Sequence, residues 1–209
     1  MSKDQRETSR TEAFSDGVIA FAITLLVLNL KDPLLDPNLN QKSLSLFQGL
    51  LTQWPAFFAF VTSFATILIM WVNHHNMFTF IRRVDTTLLF LNGLLLFFIV
   101  LTAFTTLLVA NHVGLSQTSD GSTAAAVYSG NATILGAVWS TLSYYVARKG
   151  LVPARPGGIR YLIGPLPYAI SFGISFVSAF ASLVVVLVIA GFWTLASRGF
   201  WRTVLTETA

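Results

Sequence analysis

The sequence predicts an all-α integral membrane protein, a six-transmembrane-helix bundle that forms one domain over residues 1–209. Three observations predict it: a highly apolar composition, few charges, and apolar residues that fall in long runs. Of 209 residues, 54% are hydrophobic and only 11% are charged, whereas soluble domains are about 25% charged. So few charged side chains cannot coat a water-soluble globule, which excludes a soluble enzyme. Cysteine is absent, which excludes a disulfide scaffold.

Six segments are long and apolar enough to cross a lipid bilayer. The hydrocarbon core, about 30 Å thick, takes about 20 helical residues. The first segment is slightly short, and the second is long enough to tilt or to extend beyond the bilayer. The six predicted spans are 13–30, 47–73, 86–110, 124–147, 159–177 and 179–197.

The number of spans depends on the stretch from Tyr161 to Ala196, whose 36 uncharged residues are too many for one crossing and just enough for two short ones. Six crossings put eleven of the thirteen Lys and Arg residues on one side with both termini, whereas five crossings put nine there. Because basic residues are enriched in cytoplasmic loops, we expect six spans in the cell inner membrane, with both termini cytoplasmic. The eleven residues are Lys3, Arg6, Arg10, Arg82, Arg83, Arg148, Lys149, Arg155, Arg160, Arg198 and Arg202, with Lys31 and Lys42 on the opposite side.

The motifs of several common activities are absent from the sequence. It holds no Gly-rich phosphate loop, no TVGYG-type carbonyl filter and no charged side chain in the middle of a predicted span. Ion pumps and proton antiporters usually need titratable groups there. No nucleophile and base are arranged for covalent catalysis. We therefore expect no enzyme activity, no cofactor and no nucleic-acid partner.

The first predicted span holds an acidic side chain, Asp16, about one turn inside its polar end. A carboxylate at that depth is costly unless it is paired or hydrated. Arg10 lies six residues earlier, off the helical face of Asp16, so we expect partners from other spans. The alternative is that Ser15 and Asp16 only cap and charge a helix N-terminus, where the helix dipole favours an anion.

A second polar cluster ends the second predicted span, on the same predicted side of the membrane as Asp16. This placement allows a hydrogen-bond network that joins the first three spans, although a hydrated interfacial Trp belt is an alternative. Adjacent His residues point about 100° apart on a helix. The (i, i+4) ligand pair that helical metal sites favour is also absent from the cluster, so we expect no structural metal. The cluster comprises Trp71, Asn73, His74, His75 and Asn76, with Asp85 and Asn92 following it.

Two patterns in these segments make the sequence resemble bacterial members of the transmembrane protein 175 family, relatives of the endolysosomal potassium channel. The patterns lie in the first three spans, and the last three spans are generic. The family pattern R-x-x-x-F-S-D is met by Arg10, Phe14, Ser15 and Asp16. The pattern W-x-x-H-H-x-x-F is met by Trp71, His74, His75 and Phe78.

The resemblance implies a potassium-selective leak channel in the lipid bilayer, a homotetramer whose four first helices surround a central pore without a pore loop. In similar channels, ions pass hydrophobic rings five, nine and twelve residues after the Asp, which here are Phe21, Leu25 and Leu28. A family Thr beside the constriction corresponds to Thr24, which is assigned to selectivity for potassium ions that bind only transiently. Phe21 is a departure, because Ile or Leu is usual there. The residues assigned to support of the pore helix, or to its cytoplasmic mouth, are Arg10, Phe14, Ser15, Asp16, Trp71, His74, Asp85 and Asn92.

Residue spacing alone leaves the pore face and the activity open. A second stripe along the first span has the same helical spacing, and a stripe of either kind also suits ordinary helix packing. Alternative functions are a proton-permeable channel, a proton-coupled secondary transporter and a structural membrane protein without transport. The second stripe consists of Asp16, Ala20, Ile23, Val27 and Leu30.

Overall fold

The computed structural model describes residues 3–33, 45–114, 118–152 and 164–207. Within these ranges the regular elements are all helical, which confirms the predicted all-α class. Lys42, Arg155, Arg160 and the start of the fifth predicted span, 159–163, lie outside the described residues. The helices are α1 (Lys3–Leu25), a 3₁₀ turn (Leu26–Asn29), α2 (Leu46–Thr52), α3 (Trp54–Phe78), α4 (Thr86–His112), α5 (Ser119–Arg148), α6 (Leu166–Ser175) and α7 (Ala179–Glu207).

The second predicted span, 47–73, falls on two helices that meet at Gln53. Pro55 stands in the first turn of α3, where its missing N–H costs nothing and its ring favours a helix start. The apolar run that was predicted as one span is therefore divided between α2 and α3. The first predicted span likewise covers only the apolar part of α1, which begins at Lys3 in the polar N-terminal segment.

α4 and α5 each begin at a side chain that caps the helix backbone. Asp85 accepts a hydrogen bond of 2.9 Å from the Leu88 N–H at the start of α4. Thr118 accepts one of 2.9 Å from the Gly121 N–H at the start of α5. Both satisfy backbone donors that the first helical turn leaves unpaired.

Three of the described helical segments are long and apolar enough to cross a membrane, namely Asp4–Asn29, Trp54–Phe78 and Thr86–His112. α5 has 30 residues but many Ser, Thr and Gly, and α6 has only 10. In α7 the apolar part is Ala179–Trp193. The chain is thus an integral membrane protein, and the count of six crossings stays a prediction.

The main core forms where α1 packs against α3 and α4. Ile19 and Ala22 of α1 and Leu26 of the following 3₁₀ turn are completely buried, and these positions repeat at three- and four-residue intervals on one helical face. They join a cluster that includes Ile67 of α3 and Ile99 of α4. One face of α1 is therefore fixed inward, and the opposite face has no partner within the described chain.

Candidate functional site

Asn92 of α4 lies at the centre of a buried hydrogen-bond chain that joins three helices. Its amide Nδ2 donates to the Ser15 hydroxyl of α1 at 2.8 Å, and its Oδ1 lies 2.9 Å from Nε2 of His74 on α3. Ser15 in turn donates to the Thr11 carbonyl at 2.9 Å. Ser15 and His74 are fully buried, and Asn92 is 3% exposed. Each polar group in this apolar surrounding therefore depends on its neighbour.

The direction of these bonds assigns the His74 tautomer. Because the Asn92 amide nitrogen donates to Ser15, its oxygen is the atom that faces His74 and must accept. Nε2 of His74 then carries the hydrogen, and Nδ1 is an acceptor without a partner among the described residues. The imidazole also stacks on the Phe78 ring at 4.3 Å between centroids.

A second polar contact joins α1 to α3 beside this buried chain. The Trp71 indole Nε1 donates to Asp16 Oδ1 at 2.9 Å. The adjacent His75 points away from the buried chain of His74. Its Nδ1 lies 3.1 Å from Glu12 Oε1. The Trp71 and His75 rings stack at 5.9 Å. Asp16, which is partly buried, is thus paired with a hydrogen-bond donor and not with Arg10.

The structure brings together five of the predicted support residues: Ser15, Asp16, Trp71, His74 and Asn92. The remaining three, Arg10, Phe14 and Asp85, are not bonded to this group. Arg10 and Phe14 are exposed on α1, and within the described part of the chain the Arg10 side chain makes no hydrogen bond or ion pair.

Asp85 has a separate role at the junction of α4 and α5. Besides capping α4, it accepts a hydrogen bond of 2.5 Å from the Tyr145 hydroxyl. This bond, followed by the one from the Leu88 N–H, holds the pKa of Asp85 below its ordinary value. The side chain is exposed, so its ionised form is also hydrated.

The predicted pore residues lie mostly on the face of α1 that faces away from α3 and α4. Phe21 is 63% exposed and Leu28 is 70% exposed, and Thr24 between them is also exposed. Leu25 is partly buried, and Leu28 lies in the 3₁₀ turn. The Thr24 hydroxyl donates to the Phe21 carbonyl at 2.8 Å, so its lone pairs remain available to a cation or water.

The side chains of the second stripe along α1 differ in their exposure. Ala20 and Val27 are exposed, but Ile23 and Leu30 are partly buried. Its members therefore do not share one uncovered face. The predicted pore stripe is also mixed, because Leu25 is partly buried, whereas Phe21, Thr24 and Leu28 are all exposed.

Sequence reasoning missed two residues that hold α1 in place. Glu12 precedes Asp16 by four residues, a spacing that puts both carboxylates on one helical face. This spacing was the sequence signal that could have identified Glu12. Asn29 is buried and donates to the Ala103 carbonyl of α4 at 3.2 Å. It anchors the far end of the α1 segment, and no local sequence pattern marks it.

The fold and the site together define an α-helical membrane protein whose first helix is fixed along one face and uncovered along the other. A family model described as endosomal/lysosomal potassium channel TMEM175 matches residues 10–102. A protein named potassium channel from Chamaesiphon minutus is 38% identical over 203 residues, 93% of this chain and 97% of its own length. A potassium channel from Streptomyces collinus is 39% identical over 182 residues, 83% and 84% of the two chains.

A solved structure is similar along nearly the whole chain. It is the crystal structure of a lysosomal potassium-selective channel TMEM175 homolog from Chamaesiphon minutus, with a TM-score of 0.80 and 39% identity. The match covers 92% of this chain and 99% of that one. The chain belongs to the TMEM175 family, and the resemblance drawn from its first three spans is confirmed.

Proposed function

We propose that this protein is a potassium-selective leak channel of the cell inner membrane. It is a homotetramer in which four α1 helices surround a pore without a carbonyl filter. The observation that carries the proposal is the uncovered face of α1 with Phe21, Thr24 and Leu28. The relatives named potassium channel, similar over most of their length, identify potassium as the ion.

The anchoring of α1 supports this assignment. A helix that lines a pore must keep one rotation about its axis, because a turn of 100° replaces every lining side chain. Ser15 and Asp16 at one end and Asn29 at the other bind α3 and α4. These contacts fix one rotation of α1 and so support a constant lining face.

Asp16 acts as part of this anchor and not as a cation-attracting mouth. Its Oδ1 accepts from the Trp71 indole, and its side chain is partly buried. A mouth residue would present its charge to the aqueous pathway. Arg10 and Phe14, which were also predicted to support the pore helix or its mouth, are exposed near the same end of α1 as Asp16.

Permeation follows from the chemistry of the uncovered face. A narrow apolar collar excludes water and so makes ion passage costly, and a small change in radius alters this cost steeply. Phe21 and Leu28 form the collar, with Leu25 at its edge. Potassium sheds its hydration water more readily than sodium, and Thr24 oxygens replace part of that water.

The experiment is potassium flux into or out of liposomes that contain the purified protein. An outward potassium gradient, a proton ionophore and a pH-sensitive dye report the flux, and a matched sodium gradient is the comparison. The expected result is potassium flux well above sodium flux with no coupling ion. Equal fluxes, or flux only with a proton gradient, would overturn potassium selectivity and favour the proton-permeable or proton-coupled alternatives.

A further inference from the structure

Three potential metal ligands from two helices converge beside the anchor of α1. They are Glu12 and Asp16 of α1 and His75 of α3, whose ligand atoms all lie within 4.8 Å of one another. The closest pair is Glu12 Oε1 and His75 Nδ1, at 3.1 Å. The adjacency of His74 and His75 excludes a site made from both rings, but His75 alone meets two carboxylates that are four residues apart.

We propose that Glu12, Asp16 and His75 form a binding site for a divalent transition-metal ion, best suited to Zn²⁺, at the junction of α1 and α3. One imidazole and two carboxylates are ligands that Zn²⁺ accepts, with the fourth position open to water. Mg²⁺ and Ca²⁺ prefer oxygen alone, so the imidazole argues against them.

The distances require only small side-chain rotations. Ligands at about 2.0–2.2 Å from a tetrahedral Zn²⁺ stand roughly 3.3 Å apart. The Glu12–His75 pair already has that separation, and Asp16 must approach by about 1.5 Å at most. The His75 side chain is 47% exposed and the Glu12 side chain 24%, so both have room to adjust and solvent can deliver the ion.

Trp71 orients two of the three ligands. Its indole donates to Asp16 Oδ1, and its ring stacks on His75 with an interplanar angle of 23°. Outer partners of this kind hold metal ligands in their binding geometry. Two carboxylates with a neutral imidazole also balance the +2 charge of the ion.

A metal ion here would tie the N-terminal part of α1 to the C-terminal end of α3. Its binding does not depend on channel activity. Any effect on flux does rest on the proposed function, so binding is the primary measurement and flux a secondary one.

The test is isothermal titration of the full-length protein, purified in detergent without a polyhistidine tag, with ZnCl₂. The chain has three His residues, and exposed His112 on α4 supplies the matched control. We expect saturable binding near one Zn²⁺ per chain in the wild type and in His112→Ala. His75→Ala and Glu12→Gln should each bind at least about tenfold more weakly.

The other possible results test the metal site and the channel separately. Unchanged Zn²⁺ affinity in folded His75→Ala or Glu12→Gln overturns the site, as does equal weakening in His112→Ala. Because the two variants act at separate helices, loss of folding in one leaves the other informative. Zn²⁺ binding without potassium flux overturns only the channel, whereas flux without Zn²⁺ binding overturns only the metal site.

Discussion

The Asn92 amide donates a hydrogen bond of 2.8 Å to the Ser15 hydroxyl, across 77 positions of sequence. The same amide accepts from His74, so one side chain couples the first helix to two others. Removing it leaves the buried Nε2–H of His74 without a partner, whereas Ser15 keeps its bond to the Thr11 carbonyl. A buried polar group without a partner costs about 1–3 kcal/mol.

Asn92→Ala should therefore lower the thermal stability of the purified protein. A loss of about 1–3 kcal/mol corresponds to a fall in Tm of roughly 5 °C for a chain of this size. The measurement is thermal unfolding in detergent. Asn111→Ala is the control, because Asn111 lies on the same helix but is exposed. An equal Tm for Asn92→Ala and Asn111→Ala would contradict a stabilising role for the buried chain.

The Trp71–Asp16 contact allows a test of whether Asp16 anchors α1 or attracts cations at the mouth of the pore. Asp16→Asn removes the charge but keeps an oxygen that accepts from the indole, whereas Trp71→Phe removes the donor and keeps the charge. If Asp16 anchors α1, Trp71→Phe should lower both Tm and flux, and Asp16→Asn should change them little. The readouts are Tm, the oligomeric state by size exclusion with light scattering, and liposome flux. The reverse pattern, with reduced conductance only in an intact Asp16→Asn tetramer, would identify a cation-attracting mouth.

Asp85 makes the stability of the α4–α5 junction depend on pH. The Tyr145 hydroxyl and the Leu88 N–H lower its pKa in the folded state below the ordinary value of 3.8. The ionised carboxylate is thus the favoured form, so its contribution is present above pH 3.8 and is lost as pH falls through the lowered folded value. Tyr145→Phe should reduce Tm slightly at neutral pH, and this difference should shrink on acidification.

The control for this pH dependence is Tyr144→Phe, because the Tyr144 hydroxyl accepts from the Arg148 guanidinium, whereas the Tyr145 hydroxyl donates to the Asp85 carboxylate. Its effect on Tm should stay constant over the same acidic range. A Tyr145→Phe difference that is independent of pH would show that the bond does not act through the ionised carboxylate.

Much of the site could be predicted from sequence, because polar residues in an apolar helix demand partners. The placement of Ser15, Asp16 and the polar cluster on the same predicted side of the membrane allowed a network among the first three spans, with a hydrated interfacial belt as the alternative. The choice of partner could not be predicted, since it depends on helix rotation. Only packing of Ile19 and its neighbours determines that Ser15 points to α4 while Asp16 points to Trp71.

The same limit applies to the pore face and to the helix bounds. Two stripes on α1 have equal spacing, and which side chains of each stay exposed depends on the packing of α1 against α3 and α4. The second apolar run was predicted as one span, and its break at Gln53 was missed although Pro55 favours a helix start. The bond from Asn29 to Ala103 could not be foreseen, because its acceptor is a backbone carbonyl in the middle of another helix.

Thr24→Val tests whether hydroxyl oxygens contribute to selectivity. Valine has a similar shape without the oxygen, so the preference for potassium over sodium should fall by roughly threefold, or about 0.6 kcal/mol of differential stabilisation. Reversal potentials under mixed potassium and sodium gradients measure this preference. Thr141→Val on α5 is the control, because its exposed hydroxyl also bonds to its own helix backbone. Unchanged reversal potentials in Thr24→Val would refute the assignment.

Phe21→Ala tests the position of the constriction. In the proposed tetramer, four Phe21 rings would narrow and dry a collar around the pore axis, and their removal should widen it and let water enter. Potassium flux should then rise by about tenfold, which corresponds to a barrier lower by about 1.4 kcal/mol, and selectivity should weaken. The matched control is Phe90→Ala, whose ring is 76% exposed on α4 and should leave flux unchanged. If Phe21→Ala alters neither flux nor selectivity while Leu28→Ala alters both, the constriction lies at the 3₁₀ turn, where the chain leaves the regular helix.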